Sequence, residues 1–412
     1  MRLSLEQNVL WVYEDFGFRE AIGKTETQMN TPPHKHNRMN ESPMSQPKFP
    51  SESLPDHIIH EILTWLPVKS LIRFRCVSKS WYSTITSRIF INMHLDRAIS
   101  LFNYNSNNHN GYLLYSLVPM GPPNCRKLFT GVRNSDGKLT QISSIEIPFC
   151  HSRIAGFCNG MFCFASYLSN CKDLIYLWNP SIRKFKMLDG TSISYTRIAL
   201  GLAYHSENND FKILRIGEKL ELAEAEVYTL STDSWRRVVI SVEGRNGSID
   251  GIDDSPCVFF NGALHCMAYD AHKFILSFDV NDEKFREIML PQNYLDELDG
   301  YLDGFSQNLT VFKGSLALIV FGKARVRNSN KCHIWVMKEY GVVKSWTQKS
   351  VAVGWVDSFY GCTDDGELLI EKRNGLLLSF DPESLKKNSL GFQFPTWVGF
   401  TSNFMESLVL LE

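Results

Sequence analysis

An internal repeat is the feature that most constrains how this chain of 412 residues can fold. Four turns of the Asn-Gly or Lys-Gly type precede short apolar runs. Their glycines are Gly160, Gly262, Gly314 and Gly375, at separations of 102, 52 and 61 residues. The segment 209–211 (Asn-Asp-Phe) falls near the middle of the longest interval. The turns therefore predict a structural unit of roughly 50 residues.

A second marker has a similar period. An apolar strand, a tight bend and an aromatic residue follow one another in segments 175–188, 225–238, 275–288 and 334–346. The aromatic residues are Phe185, Trp235, Phe285 and Trp346, and a further copy without its aromatic begins at residue 376. Repeats of about 40–50 residues with about four strands each are typical of β-propellers, where neighbouring blades cover the faces of each small sheet. About 310 residues at this period predict roughly six blades.

A different period precedes the repeats. In residues 54–95, apolar residues recur at intervals of three and four, as on amphipathic helices. A first helix is predicted around Ile58 to Leu66, and Pro67 should end it and open a second. Ser78 can cap a third. Three short helices bury little surface alone, so a partner or an attached domain should complete their core.

The helical stretch contains Leu54-Pro55, Ile62-Leu63, LPVKSL at 66–71 and FRCVSKSW at 74–81. Through these motifs it resembles the F-box of plant F-box proteins that carry a kelch-like region. Arg88 departs from the pattern, because the family usually has a proline after the serine. The repeats resemble the F-box-associated, kelch-like region through GFCNGMFCF, LWNPSIRKFKML and YHSENNDFKILRI. Ala203-Tyr204-His205 replaces the family's Gly-Tyr-Asp, and the Gly-Gly pair of true kelch repeats is missing.

The resemblance implies a function. It implies the substrate-recognition subunit of an SCF-type ubiquitin ligase, in which the F-box docks a Skp-type adaptor, and through it the cullin and RING subunits. The propeller would hold a target protein for ubiquitination and degradation. The receptor itself would be neither catalytic nor dependent on a cofactor or metal. The implied adaptor-binding residues are Leu54, Pro55, Ile58, Ile62, Leu63, Leu66, Pro67, Leu71, Val77 and Trp81, of which the last three extend the contact or support the fold. No substrate-binding residue is identified.

The expected fold is mainly β with a small all-α module. Residues 1–50 form an extension, residues 51–97 a three-helix F-box, and residues 98–412 a kelch-like β-propeller. The period is expected to become strand-like near residue 98. Residues 24–50 are rich in Pro, Asn, Ser, His and Met, a composition typical of disorder. Because the F-box usually lies near the start of such proteins, Met39 or Met44 is a candidate native initiator.

Composition limits the classes of binding partner and the cellular compartment that the sequence favours. The 43 basic and 44 acidic residues give a net charge of −1, so no overall field favours nucleic acid or a membrane. Several cysteines, such as Cys158, Cys163, Cys266 and Cys332, lie in apolar strand-like runs, where a reduced cysteine is a small buried residue. We therefore expect a reducing compartment, the cytoplasm or the nucleus or both.

Several patterns of catalytic or metal sites are incomplete. Gly17 to Thr25 ends like a phosphate-binding loop, but has five residues between its glycines where four are needed. His60 begins a zinc-protease pattern in which Thr64 replaces the second histidine, so His60 is expected on the helix surface. Cys158 and Cys163, with Cys171 nearby, alternate with phenylalanines, which favours core strand positions over a metal site.

The sequence leaves alternative functions open. A propeller enzyme with an F-box-like cap predicts acidic or histidine residues clustered at the central channel. A scaffold that binds the adaptor without promoting degradation is the other alternative. The repeated aromatics are interpreted as core between blades, with a ligand cage or stacking platform as the alternative; they are Trp178, Trp235, Phe285, Trp335 and Trp346. Two loops are candidates for recognition, an acidic one (Asp296, Glu297, Asp299, Asp303) and a basic one (Lys323, Arg325, Arg327, Lys331).

Overall fold

The computed structural model describes most of the chain after residue 54. The described residues are 55–105, 111–117, 126–133, 139–149, 152–166, 174–188, 197–219, 222–242, 249–291, 294, 305–322, 330–401 and 405–411. The chain divides into two compact units, residues 1–59 and residues 60–412. The predicted extension, Leu54, the phosphate-loop pattern, Cys171, the acidic loop and most of the basic loop lie outside the described residues.

The described helical region contains four helices. They are α1 (Asp56–Thr64), α2 (Val68–Phe74), α3 (Lys79–Thr86) and α4 (Arg88–Asn105). Pro67 precedes α2 as its N-cap residue, and the Ser78 hydroxyl accepts a hydrogen bond from the Trp81 amide at 3.1 Å. Both helix starts were predicted from the sequence. Among the described helices, none is both long enough and apolar enough to cross a membrane.

The fourth helix corrects two expectations, the three-helix F-box and the change of period near residue 98. The chain leaves α3 through Ser87, whose hydroxyl accepts from the Phe90 amide at 3.3 Å, and α4 begins at Arg88, where the family's proline would stand. The predicted change of period near residue 98 is wrong, because α4 continues to Asn105. Phe90, Ile91 and Leu95 are buried at helical spacing and hold α4 against the other helices.

The described strands after the helices form six antiparallel sheets, which are the blades of a propeller. Blade I contains β1 (Tyr112–Leu117), β2 (Lys127–Arg133), β3 (Leu139–Glu146) and β25 (Pro395–Thr401). Blade II contains β4 (Ser152–Cys158), β5 (Met161–Ser166), β6 (Leu174–Asn179) and β7 (Lys184–Leu188). Blade III contains β8 (Ile198–His205), β9 (Asp210–Lys219), β10 (Leu222–Thr229) and β11 (Ser234–Val238). The predicted number of about six blades is confirmed.

Blade IV has one more strand than its neighbours. It contains β12 (Gly251–Ile252), β13 (Val258–Phe260), β14 (Ala263–Tyr269), β15 (Lys273–Asp279) and β16 (Phe285–Met289). Blade V contains β17 (Phe305–Phe312), β18 (Ser315–Gly322), β19 (Lys331–Met337) and β20 (Trp346–Ala352), with a 3-10 helix at Val343–Ser345. Blade VI contains β21 (Ser358–Cys362), β22 (Leu368–Glu371), β23 (Leu376–Phe380) and β24 (Lys387–Gln393).

The ring is closed by the end of the chain. Strand β25 pairs antiparallel with β1 in blade I, with Leu114 opposite Gly399. The first blade thus receives its innermost strand from the C-terminal part of the sequence. The pairing of β25 with β1 links the C-terminal part of the chain to the first blade and closes the ring.

The repeated turns follow the strand order, with one correction. Asn159-Gly160 connects β4 to β5, Asn261-Gly262 connects β13 to β14, and Lys313-Gly314 connects β17 to β18. All six residues have positive φ, the geometry of a type I′ turn. Gly375 instead lies between the second and third strands of blade VI. The equivalent position there is Gly366 (φ 84°), 52 residues after Gly314. The turn at Gly366 lacks the Asn-Gly signature, so the sequence pattern did not identify it as a repeat.

The repeated aromatics lie where the fourth strand of a blade begins. Phe185 is opposite Trp178, Trp235 opposite Tyr228, and Phe285 opposite Phe278. Trp178 and Phe285 are buried in clusters that join neighbouring blades, and Trp335 and Trp346 pack against the cluster between blades IV and V. Trp235 packs on Tyr228 in its own blade. In blade VI, Lys387 takes the aromatic position and its Nζ lies 5.6 Å from the centre of the Phe380 ring.

A buried histidine joins two blades. His265 on β14 is fully buried, and its Nδ1 lies 3.1 Å from the Val258 carbonyl oxygen. Since that oxygen can only accept, Nδ1 carries the proton, and Nε2 accepts from the Tyr340 hydroxyl of blade V at 2.7 Å. Burial lowers the pKa of His265 to about 4. The ring is therefore neutral in the folded protein at neutral pH.

We expect His265 to make stability depend on pH. Its pKa is lowered from 6.5 in the unfolded chain to about 4 in the folded protein, so below pH 6.5 the unfolded state binds more protons. The stabilisation is present above pH 6.5 and is lost as the pH falls towards 4, by up to about 1.4 kcal/mol per pH unit. Urea unfolding of wild type and His265→Gln across this range measures the difference in slope. The exposed His272→Gln variant is the control and should keep the pH dependence of wild type. If His265→Gln also keeps the wild-type slope of unfolding free energy against pH, His265 is not the source of the pH dependence.

Candidate functional site

The structure separates the predicted adaptor-binding residues into core and surface positions. In the first unit, Pro55 and Ile58 are exposed. In the second unit, Ile62 (48% exposed) and Val77 (61%) present their side chains to solvent. Leu66, Pro67 and Trp81 are half-buried. Leu63 and Leu71 are buried among the helices, so they support the fold and do not offer a surface for a partner.

Sequence reasoning missed several exposed apolar residues of the same helices. Trp65 lies just after α1, and the Arg97 guanidinium stacks 3.5 Å from the centre of its ring. Arg97 also donates to Glu61 Oε1 at 2.9 Å, and it lowers the pKa of that carboxyl. Ile89 on α4 is 73% exposed. Because these residues lie at helix ends or outside the expected apolar stripe, the pattern of intervals gave no signal for them.

Aromatic and cationic contacts fix the surface around α3. Phe74 and Trp81 meet edge to face with ring centres 5.4 Å apart. Arg75 lies over the exposed Tyr82 ring at 5.1 Å. His60 was predicted on the helix surface but is half-buried, with its ring 5.2 Å from that of Phe90. It packs as an aromatic residue and helps to position α4.

Helices α2 and α4 lie at one end of the propeller. The turns between first and second strands and between third and fourth strands share this end, which we call the helix-side end. Asn209, in such a turn of blade III, donates from Nδ2 to Asp96 Oδ2 on α4 at 2.8 Å. The strands that flank the predicted acidic and basic loops end at the opposite, distal end. Lys331 is the one residue of those two loops among the described ones, and it is exposed.

A C-terminal segment, residues 405–411, joins blade II to the helices. Asn179 at the end of β6 donates from Nδ2 to the carbonyl oxygens of Ser407 (2.9 Å) and Val409 (2.8 Å). At Gly160 a Cβ atom would lie 2.6 Å from the Met405 carbonyl oxygen, so a side chain there would displace the segment. Ser407 and Leu408 are fully buried. The sequence analysis did not predict this contact, although the apolar run SLVLL (residues 407–411) could have indicated a buried segment.

Glu406 is the contact between this segment and the helices. Its Oε2 accepts a hydrogen bond from the Val68 amide, the first residue of α2, at 3.0 Å. Burial raises the pKa of the Glu406 carboxyl, while the Val68 amide and the charge of Lys69 act in the opposite direction. Pro67 supplies no capping side chain, so Glu406 takes the role of an N-cap from more than 300 residues away.

The central channel is mostly uncharged. A cavity of about 350 Å³ lies between the first strands of the blades. Its described lining is mainly apolar residues, glycines and small polar residues, with Lys313 and Asp364 as the charged members. No histidine belongs to this lining, and no group of three or more potential metal ligands occurs within the described part of the chain.

The cysteines of the repeats occupy core strand positions, as predicted. Cys158 ends β4, Cys163 lies in β5, and both are buried. Burial raises the pKa of Cys158 to about 12 and that of Cys163 further. Neither thiol ionises near neutral pH, which suits their packing role.

Comparison with known proteins identifies both regions. A family model described as the F-box associated beta propeller domain matches residues 132–399, and the F-box domain model matches residues 51–92. An F-box/kelch-repeat protein of Arabidopsis thaliana is 26% identical over 352 residues, covering 80% of this chain and 88% of the relative. The Arabidopsis thaliana F-box protein CPR1 is 26% identical over 384 residues, covering 82% and 84%.

Solved structures are more distant. TolB from Acinetobacter baumannii has a TM-score of 0.44 and 12% identity, covering 76% of this chain and 73% of that protein. At that TM-score the likeness does not bear on the assignment.

Replacing Glu406 should loosen the start of α2. Glu406→Ala leaves the Val68 amide without its acceptor, which costs roughly 0.5–2 kcal/mol for a helix N-cap. We expect faster amide hydrogen exchange in α2 than in wild type. Glu406→Gln keeps an acceptor oxygen and serves as the control. Unchanged exchange in the alanine variant would show that the contact does not hold the helix.

Proposed function

This chain is a member of the plant F-box proteins with an F-box-associated β-propeller domain, and from this membership we propose that it is the substrate receptor of an SCF ubiquitin ligase. The helices dock a Skp-type adaptor, which brings in the cullin and RING subunits. The propeller retains a target protein beside them for ubiquitination. The observation that carries the proposal is the apolar surface of the helices, which their own core does not use.

The exposed residues of the predicted set that belong to the second unit form the proposed docking surface. In the second unit it includes Ile62 on α1 and Val77 between α2 and α3, both well exposed. Burying one such side chain at an interface is worth about 1.5–3 kcal/mol, so a few residues can set the affinity. Leu63 and Leu71 act indirectly, because they hold the helices that present this surface.

The attachment of the helices supports a receptor mechanism. Asp96 and Glu406 tie α4 and α2 to blade III and to the C-terminal segment. A target held at the distal end would therefore stay at a defined distance and direction from the adaptor. The receptor contributes proximity, which raises the effective concentration of target near the ubiquitin-charged enzyme. No bond is made or broken by the receptor in this mechanism.

The lining of the central channel bears on the enzyme alternative. That alternative predicts clustered acidic or histidine residues, whereas the described lining has Lys313 and Asp364 as its charged residues. This observation counts against a propeller enzyme. The scaffold alternative makes the same adaptor contact and differs in the fate of the target, which would not accumulate when the proteasome is inhibited.

The docking surface can be tested with charged substitutions. Ile62→Asp and Val77→Asp place a carboxylate in the apolar interface, and each should weaken adaptor binding roughly tenfold or more. Both side chains are exposed, so the free protein should keep its melting temperature. Binding of the purified adaptor, measured by calorimetry on the full chain, gives the affinities.

Ile89→Asp is the matched control. Ile89 is an exposed apolar residue of the same helices that the predicted set does not contain, so its replacement should leave adaptor affinity unchanged. If Ile89→Asp abolishes binding while Ile62→Asp and Val77→Asp do not, the adaptor uses a different face. If wild type does not bind the adaptor at all, the receptor proposal is wrong.

A further inference from the structure

Two exposed aromatic residues flank a tight turn at the distal end of blade VI. The turn, residues 372–375, connects β22 to β23 and is closed by a 2.7 Å hydrogen bond from the Gly375 amide to the Lys372 carbonyl oxygen. Trp355, in the connection from blade V, lies on one side and is 44% exposed. Phe394, in the connection to β25, lies on the other side and is 53% exposed. We call this area the Trp355–Phe394 surface.

Trp355 is held by the basic residues of the turn. Lys372 donates from Nζ to the Trp355 carbonyl oxygen at 2.7 Å. The Arg373 guanidinium lies 5.9 Å from the centre of the Trp355 ring, within the range of a cation–π contact. The Trp355 indole nitrogen donates to Asp357. The indole is therefore oriented by its neighbours while nearly half of it remains in contact with solvent.

Phe394 is held in a conformation that a phenylalanine rarely adopts. Its φ is +53°, in the left-handed region that glycine or asparagine tolerates better. Its amide donates to the Gly375 carbonyl oxygen at 2.8 Å, and its ring lies so close to Gly375 that a Cβ there would be 2.2 Å from the ring. The fold thus keeps a strained backbone and an exposed aromatic ring at one position. Strain maintained at a surface position points to function.

The charge of this surface is positive. Lys372 and Arg373 belong to the turn, Lys387 Nζ donates to the Val353 carbonyl oxygen at 3.1 Å, and Asp357 is the acidic residue beside Trp355. Burial, together with repulsion from Lys387, lowers the pKa of Lys372 to about 8, and Asp357 opposes this shift. A carboxylate arriving from a partner would stabilise the protonated ammonium. The site therefore favours an anionic partner on charge alone.

We propose that the Trp355–Phe394 surface binds an acidic segment of the target polypeptide, in which aspartate or glutamate lies next to an aromatic or aliphatic side chain. This inference rests on the proposed receptor function and adds the place and the chemistry of target recognition. The apolar side chain packs between Trp355 and Phe394, and the carboxylate pairs with Arg373 and Lys372. Aromatic residues and arginine are the side chains that most often dominate binding energy at interfaces.

A peptide selection tests the chemistry. The full chain in complex with its purified adaptor is the bait, a phage-displayed library of random peptides is the probe, and a Trp355→Ala/Phe394→Asn double variant is used for counter-selection. The expected result is enrichment of peptides with Asp or Glu beside an aromatic or aliphatic residue. Enrichment of basic or uncharged peptides, or of no peptide over the double variant, overturns the proposal.

Charge reversal tests the pairing. Arg373→Glu should weaken binding of a selected acidic peptide roughly tenfold or more. The same peptide with its acidic residues changed to lysine should bind Arg373→Glu better than it binds wild type. If Arg373→Glu leaves the affinity of the acidic peptide unchanged, the guanidinium is not part of the site and the proposal fails.

The Phe394→Asn variant tests whether Phe394 contributes to peptide binding or to the stability of the fold. Asparagine tolerates positive φ, so we expect an unchanged or higher melting temperature together with a weaker peptide affinity. A merely structural Phe394 would give a lower melting temperature and an unchanged affinity. Val239→Asn, at the distal end of blade III and 83% exposed, is the matched control and should alter neither quantity. Adaptor binding is measured on every variant, so failure at this surface is distinguishable from failure of the receptor function.

Discussion

The pairing of β25 with β1 is the interaction on which the rest of the structure depends. Without β25, strand β1 would lose its hydrogen-bonded partner on the inner side, and the ring would not be closed. The closure also limits where the rest of the chain can lie, because residues 405–411 come soon after β25 and contact the end of β6 in blade II. From there Glu406 reaches the first amide of α2. A sheet contact inside the propeller thus controls how the helices are attached.

The attachment gives the molecule two different ends. At the helix-side end, turns of blades II and III and the C-terminal segment hold α2 and α4 through directional hydrogen bonds. Such bonds fix orientation more than they add net stability, since each also replaces bonds to water. At the distal end, Trp355 and Phe394 remain exposed around a basic turn. This division suits a receptor that must hold one partner at each end.

Much of the fold could be predicted because its signals are local. The Asn-Gly turns and the strand–bend–aromatic segments predicted the blades, and Pro67 and Ser78 predicted helix starts that the structure contains. The sequence-based prediction failed where one local signal occurs in two kinds of connection, or where a structural feature has no local signal. Gly375 has the same Asn-Gly turn as Gly160 but connects a different pair of strands. Helix α4 extends past the predicted boundary, and its weak apolar stripe explains why the sequence pattern did not predict this extension. The candidate docking residues could be named from the sequence but could not be divided into core and surface.

The sequence alone determined the class of the chain, with helices followed by repeated four-stranded units. Turn chemistry and side-chain periodicity act over a few residues, so they can be read without knowing the fold. Tertiary structure decided that Leu63 and Leu71 are core while Ile62 and Val77 face solvent, and that Glu406 caps α2. It also brought Trp355 and Phe394 to one turn. Core and surface positions depend on how the helices pack, and Glu406 meets Val68 across more than 300 residues of chain, so neither could be inferred from local patterns.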